Sequence, residues 1–321
     1  MENFVKAGIF GVCIGDALGV PVEFRTREEL KRSPVTKMRA LGSHRQPAGT
    51  WSDDSSLTLC LASSLCNGYN LEDMALKFLQ WYNTEIWTPH GRVFDIGIAT
   101  SQAIHRISKG ISPTLCGGIS EFDNGNGSLM RVLPLLFYIK NLPIEQRFDK
   151  VKEVSSITHG HIRSVLACFI YLEFALEILN KKEKWEAYKA MQKTVREFLN
   201  HTPVCSQDEM DKFHRILELK VGEYDVAQLH TLQEEEISSG GYVLHSLEAS
   251  LWCFLNSESY SEAVLKGVNL GEDTDTTGAI TGGIAGIYYG FENIPEEWIE
   301  VLVRKDDIEN LCKKLENKLT N

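Results

Sequence analysis

Two short runs of oxygen-bearing side chains are the parts of this chain best suited to chemistry. Glu272, Asp273 and Asp275 fall within four positions, directly ahead of an uncharged, glycine-rich stretch that reaches Gly290. Far upstream, Ser52, Asp53 and Asp54 precede a second apolar pattern in GTWSDDSSLTLCLASSL. Taken singly, each run is accounted for by helix capping. Serine is a good N-cap and Asp in a first turn complements the helix dipole, and the same reading covers Thr274, Asp275 and Thr276. Taken together, the runs imply more. If folding joins them, at least four carboxylates share one small volume. Two like charges about 4 Å apart repel by about 4 kcal/mol at an effective dielectric near ~20, and several such pairs are costly for a fold of ordinary stability. A bound cation removes that cost. An all-oxygen set of carboxylates and hydroxyls favours Mg²⁺, Mn²⁺ or Ca²⁺ over zinc or copper, and two ions would balance four carboxylates.

A second candidate is Gly125, Asn126, Gly127 and Ser128, ahead of an apolar helical pattern. Bare backbone N–H groups at a helix N-terminus suit a phosphate, although an Asn-Gly turn explains the same residues. His159 and His161 invite a metal pair, but a spacing of two does not put them on one helix face.

The elements that must position these residues read as helices. Apolar residues recur at three-to-four spacing over 3–20, 54–66, 71–84, 94–108, 128–139, 148–158, 161–180, 185–199, 208–218, 242–255, 260–269 and 276–289. The fold class is all-α, a compact multi-helix bundle in a single domain spanning 1–321. Glycines recur every four residues at 11, 15 and 19, and again at 278, 282, 286 and 290. A helix-interior glycine costs roughly 1 kcal/mol relative to Ala, so each stripe predicts a closely approaching backbone, and the two striped helices are expected to pack together. Residues 181–239 read as a variable excursion, with the charge run QEEEISS as solvated surface.

The bulk numbers limit the partners. A net charge of −11 argues against nucleic acid or an anionic membrane as the main partner. The eight cysteines form no CxxC pair, which speaks against a zinc ribbon, and most sit in apolar stretches as buried thiols. The N-terminal apolar stretch is interrupted by Lys6 and Asp16 and lacks a small-residue cleavage site. No run of 18 uncharged apolar residues points to a membrane span. A cytoplasmic protein is the expectation.

Seven stretches in order along the chain carry a resemblance: GVCIGDALGVPVEF, GTWSDDSSLTLCLASSL, FDIGIAT, GNGSLMRVLPL, THGHIRSVLACFIYLE, GGYVLHSLEASLWCF and AVLKGVNLGEDTDTTGAITGGIAGIYYG. Together they resemble the ADP-ribosylglycohydrolase family, and 181–239 is the only large stretch without a match. The resemblance implies an orthogonal all-α bundle holding two divalent cations, Mg²⁺ or Mn²⁺. Carried over residue by residue, the metal ligands are Ser52, Asp53, Asp54, Asp273, Asp275 and Thr276, with Ser52 standing where many relatives have threonine. Glu23, Asp54 and Asp95 are the implied catalytic carboxylates. Gly125, Asn126, Gly127, Ser128, Met130, His159, Gly241 and Tyr242 are the implied ADP-ribose contacts. Without the resemblance, Glu23 reads as a surface acid, Asp95 as a helix cap and Tyr242 as a core tyrosine.

The implied reaction is hydrolysis at the anomeric carbon of the distal ribose, through an oxocarbenium-like state. An arginine side chain is the favoured acceptor. Serine linkages or small ADP-ribose derivatives are the nearest alternative. A binding protein that occupies an ADP-ribosyltransferase toxin is another, since the family includes non-enzymatic members such as lens crystallins. A metal-dependent phosphohydrolase ranks lower because the motif order follows the glycohydrolases throughout.

Overall fold

Backbone meets backbone along a seam of glycines, and the molecule is organised around it. In a computed structural model, which describes residues 3–218 and 228–320, α1 (Phe4–Gly19) lies against α14 (Thr274–Tyr289). A Cβ on Gly15 would fall 2.0 Å from the Gly278 carbonyl oxygen, and one on Gly11 would fall 2.1 Å from that of Gly282. Gly286 faces the Ala7 carbonyl in the same way, at 2.2 Å. No other residue type fits there without separating the helices. Gly290 lies outside the seam. It ends α14 with φ 89° and abuts Glu292. The expected pairing of the two striped helices is therefore present, and it joins the two ends of the chain in one core.

Around the seam, the helices follow in chain order as α2 (Arg27–Arg32), α3 (Asp53–Leu65), α4 (Leu71–Thr84), α5 (Ile98–Ser108), α6 (Leu133–Ile139), α7 (Ile144–Ser156), α8 (Ile162–Leu179) and α9 (Lys184–His201). They continue as α10 (Gln207–Asp211), α11 (His214–Leu217), α12 (Val243–Leu255), α13 (Tyr260–Asn269), then α14, α15 (Glu296–Val301) and α16 (Lys305–Thr320). Among the described residues the only β pairing is three isolated bridges, so the all-α expectation holds. Phe4–Val22 is one stretch long and apolar enough to cross a membrane, but 94% of it is buried inside the bundle.

Several expected boundaries shift for local reasons. The segment expected from 94 begins at Ile98, because the chain before it is extended and Asp95 takes φ 51°. The segment expected from 128 begins at Leu133. Residues 127–131 are turns, and Pro134 sits in the first helical turn, where its missing N–H is harmless. The 208–218 segment is two short helices, α10 and α11. The helices α2, α15 and α16 were not among those expected.

Residues 181–239 carry more core than an excursion implies. Tyr188, Met191 and Val195 of α9 and Leu217 of α11 are fully buried, and α9 packs on α8. The charge run does lie at the surface, where Glu234 and Glu235 pair with Lys31 at 3.1 and 3.2 Å. Residues 219–227, within that stretch, lie outside the described residues.

Candidate active site

The N-termini of α3 and α14 open onto one cleft of about 320 Å³. Ser52 caps α3, its hydroxyl accepting from the Asp54 N–H at 3.3 Å, as the capping reading requires. The same serine also donates to Asp54 Oδ2 at 3.2 Å, and Thr276 on α14 donates to that oxygen at 3.3 Å. One carboxylate oxygen thus gathers hydroxyls from both ends of the chain. Asp54 Oδ1 and Asp275 Oδ2 are buried and have no hydrogen-bond partner among the described residues. Orphaned anionic oxygens of this kind are costly, and they are hard donors suited to a divalent cation.

On the α14 side, Asp275 Oδ1 accepts from the Thr276 N–H at 2.9 Å, and Asp273 Oδ2 accepts from the Asn126 amide at 2.7 Å. Ligand oxygens of Glu23, Asp273 and Asp275 lie within 4.8 Å of one another. Glu272 does not join them. It is exposed at φ 62°, and its backbone pairs with residues 24 and 25 at 2.7 Å each way. Of the three acids in GEDTD, Asp273 lines the cleft, Asp275 is buried beside it with an oxygen within 4.8 Å of those of Glu23 and Asp273, and Glu272 faces solvent.

Electrostatics match this crowding. Desolvation pushes the pKa values of Asp53, Asp54 and Asp275 well above the ordinary carboxylate range. Asp95 adds most among the charges on Asp53, Asp16 on Asp54 and Glu23 on Asp275. Asp273 is raised by desolvation against the opposing Asn126 hydrogen bond. Glu23 is pushed up to about 7 by desolvation, with the His44 hydrogen bond opposing.

The remaining expected residues divide in two groups. Glu23, Asp53, Asp95, Gly125, Asn126, Gly127, Met130, His159 and Gly241 line the cleft with Asp54, Asp273 and Thr276. Asn126 is held by its N–H to the Gly241 carbonyl at 3.2 Å and by its amide to Ser246 Oγ at 2.8 Å. Ser128 and Tyr242 are set back from the cleft. Ser128 is fully buried against Ser155 Oγ at 2.9 Å and Cys168 Sγ at 3.4 Å. The Tyr242 ring packs edge-on against His245, 5.0 Å between centroids, and lies 5.8 Å from the Arg163 guanidinium. Gly125–Ser128 also do not form a helix N-terminus, since α6 starts five residues later at Leu133.

The cleft also takes in Gly97, Ile98, Ala99, Thr100 and Phe122, none of them expected, and two charged or polar groups behind its wall, Asp16 and His44, were not expected either. Asp16 is fully buried on α1, and its carboxylate accepts from the N–H groups of Ser52 and Ser55 and from the Ser55 hydroxyl at 2.6–3.0 Å. It ties the start of α3 to the glycine seam. Burial pushes its pKa up to about 6, with those hydrogen bonds opposing. His44 Nε2 bonds to the Glu23 carboxylate, and its ring packs near those of Phe24 and Phe94, with centroids at 5.8 and 5.4 Å. Asp16 had a sequence signal, a single acid inside an otherwise apolar helix. His44 had none, because it lies in a loop without periodicity.

The whole chain, residues 1–321, matches the family model described as ADP-ribosylglycohydrolase. It is similar to an ADP-ribosylarginine hydrolase Tri1 of Serratia proteamaculans (strain 568), with 33% identity covering 97% of this chain and 78% of that protein. It is also similar to an ADP-ribosyl-[dinitrogen reductase] glycohydrolase of Rhodospirillum rubrum, with 27% identity covering 92% and 88%. A solved structure described as an ADP-ribosylglycohydrolase-related protein complex superposes with a TM-score of 0.79 at 29% identity, covering 99% and 98% of the two chains.

Proposed function

The chain belongs to the ADP-ribosylglycohydrolase family, a hydrolase of ADP-ribose glycosidic bonds, and from that premise we propose that it releases ADP-ribose from modified arginine side chains of proteins. The arginine linkage is supported by two relatives, at 33% and 30% identity, described as ADP-ribosylarginine hydrolases. The observation that carries the site assignment is the shared oxygen of Asp54, which accepts from both Ser52 and Thr276.

In this reading Ser52, Asp53, Asp54, Asp273, Asp275 and Thr276 hold two divalent cations, Mg²⁺ or Mn²⁺. When bound, such ions orient the ribose hydroxyls and activate water. The protein's own groups do the rest. Glu23, whose carboxyl desolvation pushes up to about 7 in the metal-free cleft, is the group placed to take or give a proton, as general acid–base catalysis requires. His44 holds its carboxylate at the cleft. Asp95 stands beside the pair, with its carboxylate, the Glu23 carboxylate and a His44 nitrogen all within 4.8 Å. Asn126 orients Asp273 and closes the wall toward Gly241.

The test is incubation with a mono-ADP-ribosylated arginine protein and, in parallel, a serine-linked one, in Mg²⁺, Mn²⁺ or EDTA, with free ADP-ribose measured chromatographically. Metal-dependent release from the arginine substrate is expected. Release from the serine substrate alone would move the acceptor, and equal release in EDTA would overturn the cation scheme.

A further inference from the structure

On the wall that carries Gly125 and Gly127, His159 is only 2% exposed yet lines the cleft. Glycine at 127 makes room for its ring, since a Cβ there would fall 2.8 Å from Cε1, while one on Gly125 would make ordinary contact with Nε2 at 3.5 Å. Nδ1 sits 2.9 Å from the Thr158 hydroxyl, while Nε2 has no hydrogen-bond partner among the described residues. A neutral imidazole offers one donor and one acceptor, so the proton's position decides what the wall presents to a ligand.

That position is set behind the ring. Arg131 is fully buried, and a guanidinium can only donate. Its Nη2 donates to Thr158 Oγ1 at 2.7 Å and to the Val154 carbonyl at 3.3 Å. The Thr158 hydroxyl is therefore an acceptor toward Arg131. Its single hydrogen then has one acceptor among the described residues, His159 Nδ1. Nδ1 carries the lone pair and Nε2 carries the hydrogen. Among the described residues, Arg131 itself has no carboxylate partner. Its Nε and Nη1 make no hydrogen bond, and its guanidinium lies 4.5 Å from the centre of the Phe78 ring.

We propose that Arg131 and Thr158 are positioning residues that lock His159 in the Nε2–H tautomer, so that this wall offers a fixed, uncharged donor to an anionic oxygen of the ligand. On the reading of the cleft as an ADP-ribose site, that oxygen belongs to a phosphate. Charge points the same way. Burial first, and the buried Arg131 charge second, hold the His159 pKa down at about 3, with only Asp123 opposing. The opposite tautomer would turn a lone pair toward the ligand and repel the same oxygen.

Long-range ¹H–¹⁵N spectra of histidine-labelled protein read the tautomer directly, with His159 assigned by difference against His159→Asn. The wild type is expected to show Nε2–H, and Nδ1–H there would overturn the proposal without any further variant. Thr158→Val should mix the tautomers and weaken ADP-ribose binding about tenfold in calorimetry, and Thr158→Ser should restore both. Unchanged spectrum and affinity in Thr158→Val would also overturn it. If wild-type protein shows Nε2–H yet fails to bind ADP-ribose, the lock stands and the reading of the cleft falls.

Discussion

At the scale of single residues, the site is a store of electrostatic repulsion. Asp53, Asp54 and Asp275 have folded pKa values above their unfolded ones, as do Asp16, at about 6, and Glu23, at about 7. Between the ordinary carboxylate value near ~4 and those raised values, the folded state binds more protons than the unfolded one. Stability must then fall as pH rises through that window. In EDTA, the melting temperature is expected to decline from about pH 5 to about pH 8. Saturating Mn²⁺ or Mg²⁺ should remove the decline, since a ligand at ~100 Kd adds about 2.7 kcal/mol. A flat profile in EDTA would contradict the crowding. Asp54→Asn separates charge from shape, because its amide oxygen can still accept from Ser52 and Thr276. We expect metal-free Asp54→Asn to melt no lower than wild type at pH 7.5, to gain little from added metal, and to lose more than ~10²-fold in turnover. A variant that melts lower and turns over normally would make Asp54 an ordinary cap.

The residues of that store were legible in the sequence where carboxylates and hydroxyls cluster at one helix start. They were not legible where partners meet only in space. Asp16 reads as an isolated charge until Ser52 and Ser55 are seen donating to it, and His44 sits in a loop that no periodicity marks. Ser128 and Tyr242 show the reverse. Their motifs are intact, but Ser128 is buried against Ser155 and Cys168, and the half-buried Tyr242 ring packs on His245.

At the scale of elements, the spacing of the cleft carboxylates is held by the glycine seam. Gly19 sits where a Cβ would fall 2.3 Å from the Asp275 Cα, so α1 and α14 cannot separate without moving that carboxylate away from Asp54. Gly15→Ala places a methyl 2.0 Å from a backbone oxygen, and only helix displacement relieves it. A loss of about 1–3 kcal/mol is expected, with metal affinity in calorimetry reduced at least ~10-fold. Gly110→Ala is the control. Its φ of 75° is strained for alanine, but no atom lies within 4 Å. It should lose about 1–3 kcal/mol of stability and keep wild-type metal affinity. Equal metal affinity in the two variants would separate the seam from the site. The seam was readable because a four-residue glycine period has few other uses. The six-residue α2 was too short for periodicity, although its Thr26–Glu29 capping box is written in the sequence. The signal for α16 is its buried stripe of Ile308, Leu311, Cys312 and Leu315.

At the scale of the whole molecule, residues 181–239 and the cleft are linked through one guanidinium. Arg163, 2% exposed at the start of α8, donates to Glu121 at 2.8 and 3.0 Å and to Glu209 of α10 at 3.0 and 2.6 Å. The same guanidinium lies 5.8 Å from the Tyr242 ring, and Gly241 beside it lines the cleft. The loop ahead of Gly125, the stretch at 241–243 and α10 thus share one cation, which ties the 181–239 segment to the wall of the cleft. Glu121 is 59% exposed and can turn to water when the cation is removed, whereas Glu209, at 16%, is less free to do so. Arg163→Ala is therefore expected to cost about 1–3 kcal/mol in chemical denaturation, between the values for exposed and buried pairs. Because Arg163 does not touch the carboxylate cluster, the loss in activity should fall on KM for the ADP-ribosylated substrate, with kcat close to wild type. Arg163→Lys should rescue little, since an ammonium cannot make two bidentate pairs at once. An Arg163→Ala enzyme with unchanged KM would show that α10 stabilises the bundle without shaping the pocket, and kcat loss at constant KM would place Arg163 closer to the reacting atoms than this geometry allows.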